Sequence, residues 1–268
     1  MAPATGPIPR LTVRHTPDAV SATARSRACS SSRATNAQVG PLPLAYQPGT
    51  AWRYSIGMDV QGAIVERLTG QNYARFLRAR LFEPLGMTDT AFHTPPAKAD
   101  RLATLYFKHP KHPLSVLANP LIPEYQDEPK RALGGAGLIS TISDYARFAQ
   151  MLLNEGEYGG TRIISRDAAR LMMSNHISEA LMEKRFGVGA QQIRPGFGFG
   201  FNGVVFTDPA LCGVPVGKGT YHWDGAAGTF FWVDRANDLY FVAMTQYLSY
   251  TAPPLQKIAQ TLMANALL

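Results

Sequence analysis

The amino-acid sequence predicts an α+β fold in which an antiparallel sheet is flanked by helices, with a further all-helical region. Three observations carry that expectation. Apolar residues at helical spacing crowd the middle of the chain, short β-rich runs crowd its last third, and the two do not alternate as a parallel α/β fold requires. The 268 residues, 46% hydrophobic and 17% charged, suffice for one large domain or two interleaved ones.

Residues 1–41 stand apart from the rest. The stretch "HTPDAVSATARSRACSSSRATNAQVG" is rich in Ser, Ala, Arg and Thr and has no apolar period. Such a segment buries too little apolar surface to offset its ordering entropy, so it reads as disordered or aberrant. The folded domain is expected over 42–268.

The elements of that domain follow in order. In "YQPGTAWRYSIGMDVQGAIVERLTG" a Pro48-Gly49 turn leads to Tyr54 at the mouth of a helix. Ser55 is the expected N-cap, Val60, Ala63, Ile64 and Leu68 the inner face, and Gly70 the C-cap. A second helix turns Tyr73, Phe76, Leu77 and Leu81 inward and stops ahead of Pro84. From His93 to Arg131 the chain reads as a long irregular crossing.

"GGAGLISTISDYARFAQMLLNEG" predicts a helix capped by Thr141, with Asp144 in capping-box position and Gly156 closing it. Tyr145, Phe148, Ala149, Leu152 and Leu153 form its core face. Ser165 caps a shorter helix. In the last third "GFGFGFNGVVF", "GTFFWVDRAN" and "DLYFVAMTQY" predict strands, and Asp234 to Asp238 is turn chemistry joining two of them in a hairpin. "PPLQKIAQTLMANAL" is a final amphipathic helix.

Composition removes several function classes. The formal net charge of +7 owes much to Arg10, Arg14, Arg25, Arg27 and Arg33, and no Lys/Arg stripe interleaves with aromatics, so no nucleic-acid partner is expected. No window is long and apolar enough for a membrane span, and no apolar leader is visible, which favours the cytoplasm. Neither Cys29 and Cys212 nor the six histidines have metal-ligand spacing, so neither metal nor cofactor is expected. There is no G-x-S-x-G elbow, Walker A loop, H-E-x-x-H or dinucleotide fingerprint.

Two places carry possible chemistry. Tyr54 could be packing or could move a proton. The small-residue run Gly225-Ala226-Ala227-Gly228, read as lying within a strand after Trp223, fits either close approach of a substrate carbonyl to the backbone or a bulge or tight bend.

Taken with "LFEPLGMTDTAF", "GGAGLISTISDYARFAQMLLNEGEYGGTRIIS" and "WDGAAGTFFWVD", the Tyr54 block resembles the serine β-lactamase-like superfamily, in particular class C β-lactamases and family VIII carboxylesterases. The resemblance runs in order from about Leu42 to the C-terminus and implies a β-lactamase/transpeptidase-like fold. In that family an S-x-x-K serine is the nucleophile, a Y-x-N tyrosine the general base, and a K-T-G strand lines the facing wall.

By that resemblance Tyr54 is the base, Trp223, Asp224 and Gly225 are the wall, and the Ala226 N–H is an oxyanion donor. Gly134 to Gly137 would line the cleft floor or serve packing. A phenol titrates near about 10, so it acts as a base only where positive charge or hydrogen bonds favour the phenolate. Ile56 stands in place of the family's Asn and Trp223 in place of its Lys. Apolar groups there suit an ester better than a β-lactam, so the expected activity is a carboxylesterase on small esters. A β-lactamase, or a D-alanyl peptidase acting on a carboxylate-bearing substrate, is the alternative.

No serine stands three residues before any lysine in these 268 residues. The nucleophile motif is therefore missing, and Ser55 is only a weak substitute because capping already accounts for it. The absence, together with the unusual 15–41 stretch, leads to the expectation of an N-terminally incomplete chain with a frame slip, impaired in catalysis or wholly non-catalytic. The apolar surface left uncovered would lower stability or drive self-association.

Overall fold

The computed structural model describes residues 40–108, 114–116, 125, 132–184, 186–188, 191–248 and 254–267. The segment expected to be disordered lies almost wholly outside the described residues, as does much of the 93–131 crossing.

Helix α1 spans Gly57–Thr69 and ends on Gly70, whose left-handed backbone (φ 70°) lets its amide reach Glu66 O. Ser55 is not its cap: the N-cap position is Ile56, with no side-chain hydrogen bond. Tertiary contacts hold the first turn instead. The Gly135 amide donates to Asp59 Oδ1 at 3.0 Å, and Gly134 lies so close to the Met58 carbonyl that a Cβ would collide with it. The predicted inner face also divides. Ala63 is buried, whereas Ile64 and Leu68 are 48% and 81% exposed.

Helix α2 (Tyr73–Leu77) is capped by Asn72, whose side chain accepts from the amides of Ala74 and Arg75. It runs into a π turn at Arg78–Phe82. A 3₁₀ turn (Pro96–Arg101) and the short strands β1 (Tyr106–Phe107) and β2 (Ser115–Val116) follow.

Helix α3 (Ile142–Leu153) begins as predicted, with Thr141 accepting from the Asp144 amide. Gly156, beyond its end, donates to Met151 O at 2.8 Å. The Asp144 carboxylate, however, does not complete a capping box. It is buried and turned away, accepting from the Asp89 amide at 2.7 Å and the Thr90 hydroxyl at 2.9 Å. A local pattern thus serves a long-range clamp between α3 and the 86–90 segment.

The hairpin β3 (Glu157–Tyr158) and β4 (Thr161–Arg162) leads to α4 (Arg166–Met172), capped by Ser165 as predicted. Then come α5 (Glu179–Glu183), β5 (Phe186–Val188) and β6 (Gln191–Ile193). Strands β7 (Phe197–Phe199) and β8 (Val204–Phe206), helix α6 (Pro209–Cys212), and strands β9 (Tyr221–Asp224), β10 (Phe230–Asp234), β11 (Leu239–Ala243) and β12 (Tyr247–Leu248) precede helix α7 (Leu255–Ala266).

The central sheet runs β11-β10-β9-β8-β7, with every neighbouring pair antiparallel. Its period of two divides the chemistry. Tyr221, Trp223, Phe231, Val233 and Val242 face the cluster built with Phe148, Ala149 and Leu152 of α3. At about 1.5–3 kcal/mol for each large apolar side chain buried, this contact fixes the sheet against α3. His222, paired across from Trp232, is wholly buried and receives α7 through Gln256 Nε2, 3.1 Å from its Nδ1. Leu255, Ile258 and Leu262 of α7 stay exposed.

Candidate active site

The sheet and the chain ahead of α1 bring the first pair of predicted site residues together. Tyr54 lies in the irregular lead-in to α1, and its ring meets the Trp223 indole at 5.7 Å between centroids, tilted 33°. Trp223 is held from its other side by Phe199 of β7 at 5.8 Å, edge to face, and Phe199 by Trp52 at 5.0 Å. Aromatic pairs of this geometry contribute about 0.5–1.5 kcal/mol beyond their buried area. Tyr54 and Trp223 are legible in the sequence as site residues; Phe199 and Trp52 are not. Aromatic content was the only available signal for the latter two.

Beyond Trp223 and Asp224 the chain reverses at once. The Gly225 amide donates to Thr229 O at 2.7 Å and the Gly228 amide to Gly225 O at 2.9 Å. The small-residue run is therefore the turn of the β9–β10 hairpin, not a bulged strand interior. Gly228 adopts φ 80°, and a Cβ there would strike the Thr245 hydroxyl. Among the described residues, the Ala226 amide donates to none.

A cavity of about 1330 Å³ opens beside this turn. Trp223, Asp224, Gly225, Ala227 and Thr229 line it from the sheet, Gly134 to Ser140 from the entry to α3, and Thr88 to Thr94 from the facing segment. The glycines of 134–137 thus both line the cleft and pack. Tyr54, Ile56 and Ala226 are not lining residues. Tyr54 adjoins the cavity through Trp223, and Ala226 lies between Gly225 and Ala227. Ile56 and Ser55 are exposed, and the Ser55 hydroxyl has no hydrogen-bond partner among the described residues.

The electrostatics of the walls follow from burial. The Tyr73 phenol, on the cavity wall, is raised above its ordinary range by burial and by the nearby Asp59 charge. Tyr145, which also lines the cavity, and Tyr221 in the core cluster are raised by burial. Asp89, at the rim, is held down at about 2 by hydrogen bonds from Arg101 and Lys98. His222, immediately before Trp223, points to the opposite sheet face and is depressed to about 3 by burial, so it is a neutral core residue. Among the described residues no cluster of His, Cys, Asp and Glu could hold a metal ion, and no helix is long and apolar enough to cross a membrane.

The beta-lactamase family model matches residues 10–263, and the chain belongs to that family. Protein Rv1367c of Mycobacterium tuberculosis (strain ATCC 25618 / H37Rv) is 35% identical over 215 residues, covering 79% of this chain and 52% of that protein. Esterase EstB of Burkholderia gladioli is 31% identical over 223 residues, covering 78% and 53%. The solved structure of EstCE1, a hydrolase with promiscuous acyltransferase activity, superposes with a TM-score of 0.71 at 25% identity over 87% of this chain and 61% of that one. The chain spans about half the length of the curated relatives it matches. The expected β-lactamase/transpeptidase-like α+β fold is thereby established.

Proposed function

We propose that the cleft is that of a carboxylesterase acting on small esters, impaired in this chain because S-x-x-K is absent. The observation that carries this reading is the Tyr54–Trp223 pair. A phenol stands against an indole where a β-lactam or D-alanyl peptide, each bearing a carboxylate, would call for a cation. An uncharged ester loses nothing at an apolar wall, whereas a carboxylate is desolvated there without a partner. Similarity to Esterase EstB points the same way.

In this reading the Tyr54 oxygen moves the proton. It receives it from the attacking hydroxyl and returns it to the departing alkoxide. The Ala226 N–H donates to the carbonyl oxygen as negative charge develops. Asp224 and Gly225 shape the wall, and Ile56 adds an apolar edge. The 268 residues contain no S-x-x-K serine to attack. Ser55, adjacent to Tyr54 and not engaged as a cap, is the serine to watch.

Fluorophosphonate labelling with adduct mapping, run beside p-nitrophenyl butyrate and nitrocefin turnover, tests the reading. Absence of a serine adduct and of turnover is the expected result. Nitrocefin hydrolysis exceeding ester hydrolysis would overturn the assignment to esters, and an adduct with turnover would overturn the impairment. A second reading, a non-catalytic family member that binds ligand without turnover, draws on the same missing motif.

The reading extends to self-association of copies through uncovered apolar surface, supported by the exposure of Ile64, Leu68, Leu255, Ile258 and Leu262. Light scattering across a concentration series would count against it if only monomer appeared.

A further inference from the structure

The turn that carries Ala226 is not held by its own hairpin alone. Within the hairpin the Gly225 amide donates to Thr229 O and the Gly228 amide to Gly225 O. Thr245 of the β11–β12 connection and Tyr247 at the start of β12 add further ties. The Thr245 hydroxyl lies 2.9 Å from Ala227 O and 3.0 Å from Gly228 O, a shared three-centre donation to two successive carbonyls. The Tyr247 amide donates to the same Ala227 O at 2.9 Å. Gly228 is matched to this arrangement, since a Cβ there would collide with the Thr245 hydroxyl.

A peptide plane joins each carbonyl to the next amide, so fixing the Ala227 and Gly228 carbonyls restricts the turn's rotation. The Ala226 amide lies directly ahead of this tethered stretch and is not spent on any described residue. Catalytic electrostatics depends on donors held in place before the charge appears.

We propose that Thr245 is a positioning residue that presets the Ala226 N–H toward a substrate carbonyl, acting through the Ala227 and Gly228 carbonyls. The inference rests on the reading of Ala226 as the oxyanion donor. It gives a role to a residue that no motif marks, far along the chain from the turn and outside any regular strand. An apolar side chain of the same shape would fill the space but remove this donor from Gly228 O and leave Ala227 O to the Tyr247 amide alone. A serine would keep the donor and lose only a methyl group.

The test compares the full chain with Thr245→Val and Thr245→Ser. Amide resonances are followed by NMR during titration with 1-phenylpentan-2-one, a ketone isostere of phenyl butyrate that cannot be hydrolysed. The wild type should show a saturable shift of the Ala226 amide. Thr245→Val should weaken the fitted affinity at least 5-fold and speed hydrogen exchange at Gly228 and Tyr247. Thr245→Ser should restore both to within about 2-fold of wild type. If Thr245→Val disperses poorly, Thr245→Ala supplies the second deletion. Equal Ala226 responses in wild type and both deletions would overturn the role of Thr245 while leaving the donor reading standing. An Ala226 amide unmoved in the wild type would overturn the donor reading and, with it, the inference.

Discussion

Tyr54 and Trp223 lie 169 positions apart in the chain yet meet ring to ring, 5.7 Å between centroids. The contact joins the lead-in of α1 to the end of β9. A double-mutant cycle on Tyr54→Ala and Trp223→Ala in urea should give a coupling energy of about 0.5–1.5 kcal/mol. Tyr54→Phe keeps the ring and should cost less than about 0.5 kcal/mol. A coupling indistinguishable from zero would mean the rings do not meet in solution.

Asp144 is the clamp between α3 and the 86–90 segment. Removing its carboxylate leaves the Asp89 amide without its acceptor and the buried Thr90 hydroxyl with Ser140 Oγ alone. Asp144→Ala should therefore lower unfolding stability by about 2–4 kcal/mol, the range for orphaned buried polar groups next to a lost charge. Asp144→Asn retains one acceptor oxygen and should lose less. Equal urea midpoints for wild type and Asp144→Ala would contradict this account.

Gly134 and Gly135 are adjacent and should differ in their tolerance of a side chain. A Cβ at Gly134 meets the Met58 carbonyl, backbone against backbone, with nothing flexible to move aside. At Gly135 the nearest atom is Asp59 Oδ1 at 3.6 Å, an ordinary contact. Gly134→Ala should cost about 1–3 kcal/mol and shift the start of α1 together with Tyr54. Gly135→Ala should stay within about 1 kcal/mol of wild type. Thermal unfolding of the two single variants decides the matter, and similar losses in both would sink it.

These positions also show where sequence reading reaches and where it stops. Thr141 and Ser165 cap their helices, and the 234–238 turn closes its hairpin, because each depends on residues a few positions apart. Ser55 had the same local signature but no cap formed, since Asp59 and Gly135 already secure the start of α1. Asp144 fitted a capping box, yet its carboxylate found donors more than 50 positions away. Asn72 caps α2 through an equally local pattern, its side chain accepting from amides two and three positions on. Within the site, Tyr54 and Trp223 were visible through family blocks. Thr245 was not, because a single hydroxyl reaching two carbonyls leaves no periodicity or motif.

His222 is fully buried on the α7 face of the sheet, stacked on Phe206 at 4.8 Å, with Nδ1 by Gln256 and no partner for Nε2 among the described residues. Burial lowers its folded-state pKa to about 3 from an unfolded value of 6.5. A depressed value means the unfolded chain takes up this proton first. The contribution of His222 is thus intact above about pH 6.5 and is lost as pH falls toward 3. The slope is at most about 1.4 kcal/mol per pH unit. Asp89, held down at about 2 by Arg101 and Lys98, adds acid sensitivity from its ordinary value of 3.8 downward, so the interval from pH 6.5 to 5 lies above its window. His222→Phe keeps an aromatic ring beside Phe206 and removes the titration. It removes the hydrogen bond between Gln256 and the His222 ring and so lowers stability at pH 8, but its stability should fall less steeply than that of the wild type between pH 6.5 and 5. Parallel urea-derived slopes for the two proteins over that interval would show that His222 takes up no proton on unfolding there, and the burial argument would fail.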